Sequence, residues 1–383
     1  MKPRRRPTAR PPGMLGSVEQ PGSGERQGEL AVTVREGITT SRIDIGRLTV
    51  AVHEIEGRSE GRPVVFVHGN VSSSVFFFPV MKRLPAEFRP IAVDLRGFGE
   101  TDTAPVDATR GLSDFADDVW AAVDALGLGP VALVGWSMGG GVVQQMIIDR
   151  PADVTSATLV NPVSPYGFGG TKGLDGEPVS ADGAGSGGGT ANPDFVRILA
   201  EGPARGAADE SATSPRATLR AFYVAPGWDG EHEDEFVVSM LSTKVGDDNY
   251  PGDSRPSPNW PAVAPGGRGV LNTMAPTQLN LTGIVDAHPK PPILWIRGEL
   301  DQIVSDASMF DLATLGQLGA VPGWPGADSC PPQPMVGQTR AVLDRYAERG
   351  GAYTETVIGG TGHSPHIEAE DEFLTSLLEQ LQG

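Results

Sequence analysis

The stretch VALVGWSMGGGVVQQ, residues 131–145, decides the reading of this chain. Strand-forming residues run from Val131 to Trp136, stop at a serine, and pass straight into a helical pattern. A strand-to-helix turn needs only one glycine, yet Gly135, Gly139, Gly140 and Gly141 surround Ser137. In a G-x-S-x-G turn the serine sits on a sharp bend with strained dihedrals, which pushes its hydroxyl out above the end of the sheet. Glycines at 135 and 139 carry no Cβ to collide with the neighbouring strand and helix. The helix that follows begins with its N–H groups facing the same spot and favours negative charge developing there. Ser137 is therefore a candidate nucleophile. Tight packing of a glycine-rich turn is the other reading of the same residues.

On either side of this turn, apolar runs closed by glycine alternate with helical periodicity. RPVVFVHGN (62–70), RPIAVDLRGFG (89–99), SATLVNPV (156–163) and PPILWIRG (291–298) suit strands buried on both faces of a parallel sheet. Leu112, Phe115, Val119, Val123 and Leu126 recur at steps of three and four, one apolar helix stripe. SRIDIGRLTVAVHEIEG (41–57) reads as a strand pair turning near Gly46. Strands alternating with helices give an α/β class with a doubly wound, mostly parallel sheet. The rhythm breaks between Ser164 and Lys290 and again between Ser305 and about Pro334. The expected organisation is an arm over 1–36, a core over 37–163 and 291–383, and an inserted lid over 164–290. The glycine-rich piece of the lid, 169–192, is poor in apolar residues and reads as a mobile surface loop. The function of the 305–334 insertion is not legible.

The chain has 383 residues, a formal charge of −18 and one cysteine, Cys330, so an intrachain disulfide or a cysteine-based zinc site is excluded. No metal and no cofactor is expected. The acidic balance argues against nucleic acid as a partner. The basic, proline-rich MKPRRRPTARPPG is followed by no apolar core of a secretory signal, so the arm reads as disordered. No apolar run reaches the ~18 residues of a membrane span. The expected partner is a small-molecule substrate, with no membrane and a homo-oligomer left open, and the expected location is the cytoplasm.

A serine hydroxyl is a weak nucleophile and needs a base. His363, in VIGGTGHSPHIEAEDEF (357–373), follows the last predicted strand, and loops after parallel strands share the edge that carries Ser137. Gly359, Gly360 and Gly362 let that loop fold inward, which favours His363 over its neighbour His366. His68 reads as a support for its own loop. The carboxylate that orients a base comes from LWIRGELDQIVS (294–305), which offers Glu299 and Asp301; Asp301, past the bend at Gly298, is preferred. The strand end after the Ser137 helix offers only Asn161. An oxyanion hole needs two N–H donors: Met138, after the nucleophile, and Asn70, where Gly69 lets the chain turn.

HGN (68–70), DLRGFGETD (94–102), GWSMGG (135–140), RGELD (297–301) and GTGHSPHIE (360–368) occur in an order and spacing that resemble the α/β-hydrolase superfamily, in particular its capped branch. The resemblance covers roughly 41–163 and 291–380. It implies an eight-stranded sheet flanked by helices, with a helical lid inserted after strand 6, and a structural role for Asp94 and Arg96. Branch members with an aspartate nucleophile at this turn are set aside, because the residue here is Ser137.

These readings give an expected hydrolase of a carboxylic ester or lactone acting through an acyl-enzyme. An amide hydrolase of the aminopeptidase or acylase type, using EHEDEF (231–236) to hold an amine, is the first alternative, and a non-catalytic ligand-binding member of the fold the second. Candidate substrate-binding residues are Phe76, Phe77 and Trp136 near the turn, and Tyr223, Trp228, Trp260 and Met274 in the lid.

Overall fold

In chain order the strands are β1 (Ile38–Asp44), β2 (Thr49–Ile55), β3 (Arg62–Val67), β4 (Phe88–Val93), β5 (Val131–Trp136), β6 (Val154–Val160), β7 (Thr171–Lys172), β8 (Glu177–Pro178), β9 (Ser254–Pro256), β10 (Val263–Pro265), β11 (Ile293–Gly298) and β12 (Tyr353–Ile358). They belong to a computed structural model that describes residues 36–383, so the basic arm lies outside it apart from its last residue. Eight strands form one sheet in the order β1-β2-β4-β3-β5-β6-β11-β12. The β1–β2 and β2–β4 pairs are antiparallel; every other pair in this sheet is parallel. The whole of β5 is buried, as are most of β3, β6 and β11, which is why these strands read as unbroken apolar runs. Helices Ser113–Ala125 and Met138–Asp149 pack on one another, and Glu370–Gln382 packs on β6, β11 and β12. This is the α/β-hydrolase fold, with a long insertion between β6 and β11. Among the described residues no helix is long and apolar enough to cross a membrane.

Parallel pairing decides where chemistry can occur. Val67 lies opposite Val93 and Gly135, Trp136 opposite Val160, and Gly298 opposite Ile358. The loops that begin at His68, Ser137, Asn161, Glu299 and Gly359 therefore leave the same edge of the sheet.

The insertion contains the anticipated helical segments, observed at Pro193–Glu201, Pro215–Tyr223 (ending in a π-helical turn, 219–223) and Glu233–Met240. It also contains two small hairpins, β7–β8 and β9–β10, which no periodicity announced. The glycine-rich segment departs from its reading as a surface loop. Gly170, Thr171, Gly176, Gly183–Gly185, Gly188 and Gly189 are buried. Gln338, fully buried, donates to Thr171 Oγ1 at 3.0 Å and to the Gly173 carbonyl at 2.9 Å. A Cβ on Gly188 would come within 2.5 Å of Pro265, and one on Gly189 would overlap the Asp253 carbonyl. The sequence criterion failed because it counted side chains, whereas here the backbone itself is packed.

Gly189 (φ +70°) and Gly173 (φ +65°) share the left-handed backbone, but only Gly189 lacks room. Gly189→Ala is therefore expected to destabilise the fold by about 1–3 kcal/mol more than Gly173→Ala, the cost typical of overpacking. Urea denaturation midpoints of the two variants measure the difference.

Candidate active site

Ser137 closes β5 at φ +58° and ψ −121°, a strained conformation for a residue with a side chain. The surrounding glycines allow the strand, the turn and the helix to close together. A Cβ on Gly135 would overlap the Gly139 carbonyl, and a Cβ on Gly139 would overlap the carbonyls of Val67 and His68. Those carbonyls end β3, so Gly139 lets the helix seat against the loop carrying Asn70. From the other side, a Cβ on Gly69 would lie 2.9 Å from Ser137 Cβ. The clustering of glycines around Ser137 is thus a demand for space at three facing backbones.

His363 and Asp301 meet at 2.9 Å, Nδ1 to Oδ2, with both side chains buried. Asp301 Oδ1 accepts from the amides of Ile303 at 2.8 Å and Val304 at 3.2 Å, which fixes the carboxylate. Because a carboxylate only accepts, Nδ1 carries the proton and Nε2 is left as the basic nitrogen. Glu299, the rival acid, instead accepts from the Gly360 amide at 3.0 Å. His366 is fully buried against Phe77 and Trp136, at ring distances of 4.8 and 4.9 Å, and neither of its ring nitrogens has a hydrogen-bond partner among the described residues.

The His363 loop is held from beneath. Trp136 Nε1 donates to the His363 carbonyl at 2.8 Å, and Asn161 Nδ2 to the same oxygen at 2.9 Å. Asn161 Oδ1 accepts from the Gly298 amide at 3.2 Å, so one side chain joins the ends of β6, β11 and the histidine loop. A Cβ on Gly298 would overlap the Gly362 carbonyl, hence the glycine at that bend. Asn161 was visible in the sequence only as a failed acid; its use as a bracket was not.

Ser137, Met138, Asn70 and His363 line one cavity of about 460 Å³. No hydrogen bond joins Ser137 Oγ to His363 among the described residues; the two residues border the same cavity. On the Asn70 side, His68 donates from Nδ1 to the Gly69 carbonyl at 2.8 Å and accepts at Nε2 from the Leu95 amide at 2.9 Å. Both nitrogens are occupied, one in its own loop and one by the loop after β4, and burial lowers the basicity of the ring despite the nearby Asp94. Asp94 accepts from the Ser74 and Glu100 amides, both at 2.8 Å, and pairs with buried His53 at 3.0 Å. Arg96 makes a two-pronged bridge to Asp118 at 2.6 and 2.9 Å. Both residues brace the loops behind the cavity.

Tyr223 and Met274 line the cavity; Phe76, Phe77, Trp136, Trp228 and Trp260 do not. The two phenylalanines and Trp136 are fully buried, with Phe76 stacked at 5.0 Å on Trp136 and 4.5 Å on Phe236. Trp260 donates to the Pro322 carbonyl at 2.9 Å, tying the first insertion to the second. Residues overlooked in the sequence complete the wall: Ser186–Gly188 and Thr190–Asn192 from the glycine-rich segment, and Met309, Phe310, Leu312 and Leu315 from the second insertion. Phe222 and Phe310, one from each insertion, meet edge to face at 4.9 Å, and Phe310 is 41% exposed. Phe310 thus runs from the cavity to solvent. Among the described residues, no Asp, Glu, Lys or Arg lines the cavity.

Comparison with known proteins agrees with this architecture. Residues 62–173 match the family model described as the alpha/beta hydrolase fold. The chain is 40% identical over 98 residues to 2-(acetamidomethylene)succinate hydrolase of Mesorhizobium japonicum, a match covering 26% of this chain and 34% of that protein. It is 27% identical over 110 residues to carboxylesterase YbfK of Bacillus subtilis, covering 29% and 37%. The chain thus matches little more than a third of the length of these curated relatives. The solved structure of carboxylesterase CesB (YbfK) of Bacillus subtilis superposes with a TM-score of 0.55 at 14% identity, covering 90% of this chain and 91% of that one. The chain has the α/β-hydrolase fold, and the proteins it is similar to include esterases.

Burial pushes the His366 imidazole from its ordinary 6.5 down to about 3, with the neighbouring His363 adding to the effect. Below pH 6.5 the unfolded chain protonates this histidine while the folded chain does not, so stability falls as the pH falls. His366→Phe removes this linkage. Relative to the variant, the wild type is expected to lose about 1.4 kcal/mol per pH unit between pH 6 and 4, read from chemical denaturation at each pH.

Proposed function

We propose that this chain is a serine hydrolase that cleaves carboxylic esters or lactones of neutral, largely apolar small molecules through an acyl-enzyme. The observation that carries the reading is the shared cavity. Ser137, on a strained turn, faces the same 460 Å³ space as His363, whose Nδ1 is held by Asp301. Ser137 Oγ attacks the substrate carbonyl and His363 Nε2 takes its proton. Asp301 keeps the proton of the resting ring on Nδ1 and stabilises the imidazolium that forms. The amides of Met138, at the first turn of its helix, and of Asn70 receive the developing oxyanion. His363 then returns the proton to the leaving alcohol, and water, deprotonated by the same nitrogen, releases the acid. The Ser137–His363 hydrogen bond is one that forms with substrate in place, as such bonds often lengthen in empty sites.

Substrate class follows from the wall. A charged substrate would lose its hydration without a counter-ion, because no acidic or basic side chain other than His363 borders the space among the described residues. Phe168, Phe195, Leu271, Met274, Phe310 and Leu312 supply apolar surface for a bulky acyl or alkoxy group. The acidic EHEDEF segment does not support an aminopeptidase. Glu233 is engaged by Arg216 and Arg220, and none of its carboxylates borders the cavity.

Purified protein is expected to hydrolyse neutral aryl and alkyl esters and to prefer them over matched amides and over anionic esters. Ser137→Ala should reduce turnover to near background, and Asp301→Asn by on the order of 10³–10⁴-fold, with both folds intact by circular dichroism. A fluorophosphonate should label Ser137. Substantial turnover by Ser137→Ala, or no labelling of the wild type, would overturn the reading; the latter with tight ligand retention would favour a binding protein.

A further inference from the structure

Glu368 is the last residue of the short turn Pro365–Glu368, five positions after His363. Its carboxylate accepts from the Gly362 amide at 3.0 and 2.9 Å and from the Ser364 amide at 3.1 Å. These two donors flank His363 on either side. A third donor comes from far away in the chain: the Ala225 amide, in the first insertion, at 2.6 Å. Two residues before Ala225, the Tyr223 hydroxyl donates to the carbonyl of Asn70 at 3.0 Å, and its ring lies 6.0 Å from that of His363. A Cβ on Gly362 would lie 2.9 Å from the Ala225 nitrogen and the Val224 carbonyl carbon, so loop and insertion touch directly.

We infer that Glu368 is a positioning residue whose carboxylate fixes the backbone of the catalytic histidine and fastens it to the Tyr223–Ala225 segment that covers the oxyanion loop. The inference rests on the proposed role of His363. A carboxylate suits this position because both oxygens accept; three amides converge on it, and an amide side chain would present one acceptor and one misdirected donor. Seating of the insertion and alignment of the base therefore become one event: the segment that carries the pocket wall also holds the loop that carries the proton acceptor. Burial raises the Glu368 carboxyl above its ordinary range, and the three amides and the nearby His363 offset part of that rise. As an anion beside the ring it favours the imidazolium. The other titratable groups around this loop are Asp301, bonded to the ring, Glu299 on the Gly360 amide, Tyr223 of the insertion, beside the ring, and His366, packed behind Trp136.

The test compares wild type, Glu368→Gln, Glu368→Asp and His363→Ala on a short neutral ester, with rates expressed per site titrated by fluorophosphonate for the labelled proteins and folding followed by circular dichroism. Glu368→Gln is expected to lower kcat per titrated site about 10- to 100-fold, the scale of a misplaced catalytic group, and to move the acid limb of kcat/KM to lower pH. Glu368→Asp keeps the charge but is one methylene shorter, so kcat should fall while the acid limb stays where it is in the wild type. Wild-type kcat per site and an unmoved acid limb in Glu368→Gln would overturn the inference. So would a loss of activity matched by the loss of folded protein. If Glu368→Gln does not fold, Glu368→Asp decides, and an unchanged kcat there overturns it. Full activity in His363→Ala would instead sink the proposed function itself, separating the two failures.

Discussion

The hydrogen bond from His363 Nδ1 to Asp301 Oδ2 is the constraint around which the rest of this molecule is arranged. It joins two loops that leave neighbouring parallel strands, and it exists only because those strands end in register. Gly298 lies beside Ile358, and the bend at Gly298 has no side chain to hold the histidine loop away. Remove the register and the ring has no partner; remove the glycine and the loop has no room. Trp136 at the end of β5 and Asn161 just past β6 then both donate to the His363 carbonyl, and Gly298 of β11 donates to Asn161 in turn. The sheet is the instrument that converts distance in sequence into contact in space.

That arrangement explains what could be read in advance. The core strands were legible because burial on both faces leaves no polar positions to blur an apolar run. Ser137 was legible because three backbones crowd the turn, and crowding is written as glycine. Asp301 was distinguishable from Glu299 only by its place beyond the bend, and the geometry separates them by partner: one meets an imidazole, the other an amide. The pocket was far less legible. Phe76 and Phe77 lie close to Asn70 along the chain, yet they turn into the core, where Trp136 and Phe236 already offer apolar contact. Phe310 and Leu312 sit in an irregular stretch with no period to mark an inner face.

Glu368 and Asn161 represent a different kind of blindness. Their partners are main-chain amides and carbonyls, which every residue possesses, so no pattern of side chains points to them. The glycine-rich segment shows the same effect at larger scale. Its contacts are made by backbone, and a reading based on apolar side chains scores it as empty. Low hydrophobicity and low packing are separate properties, and at Gly183, Gly188 and Gly189 only the first holds.

The contact of Phe222 with Phe310 makes the two insertions interdependent. These rings belong to two insertions separated by β11, and each supplies part of the same wall. Lengthening or trimming either insertion alone would leave the other's aromatic face without its counterpart and open the cavity to water. At this wall the two insertions act as one unit, and a change of length in either has to be matched in the other for the aromatic contact to survive.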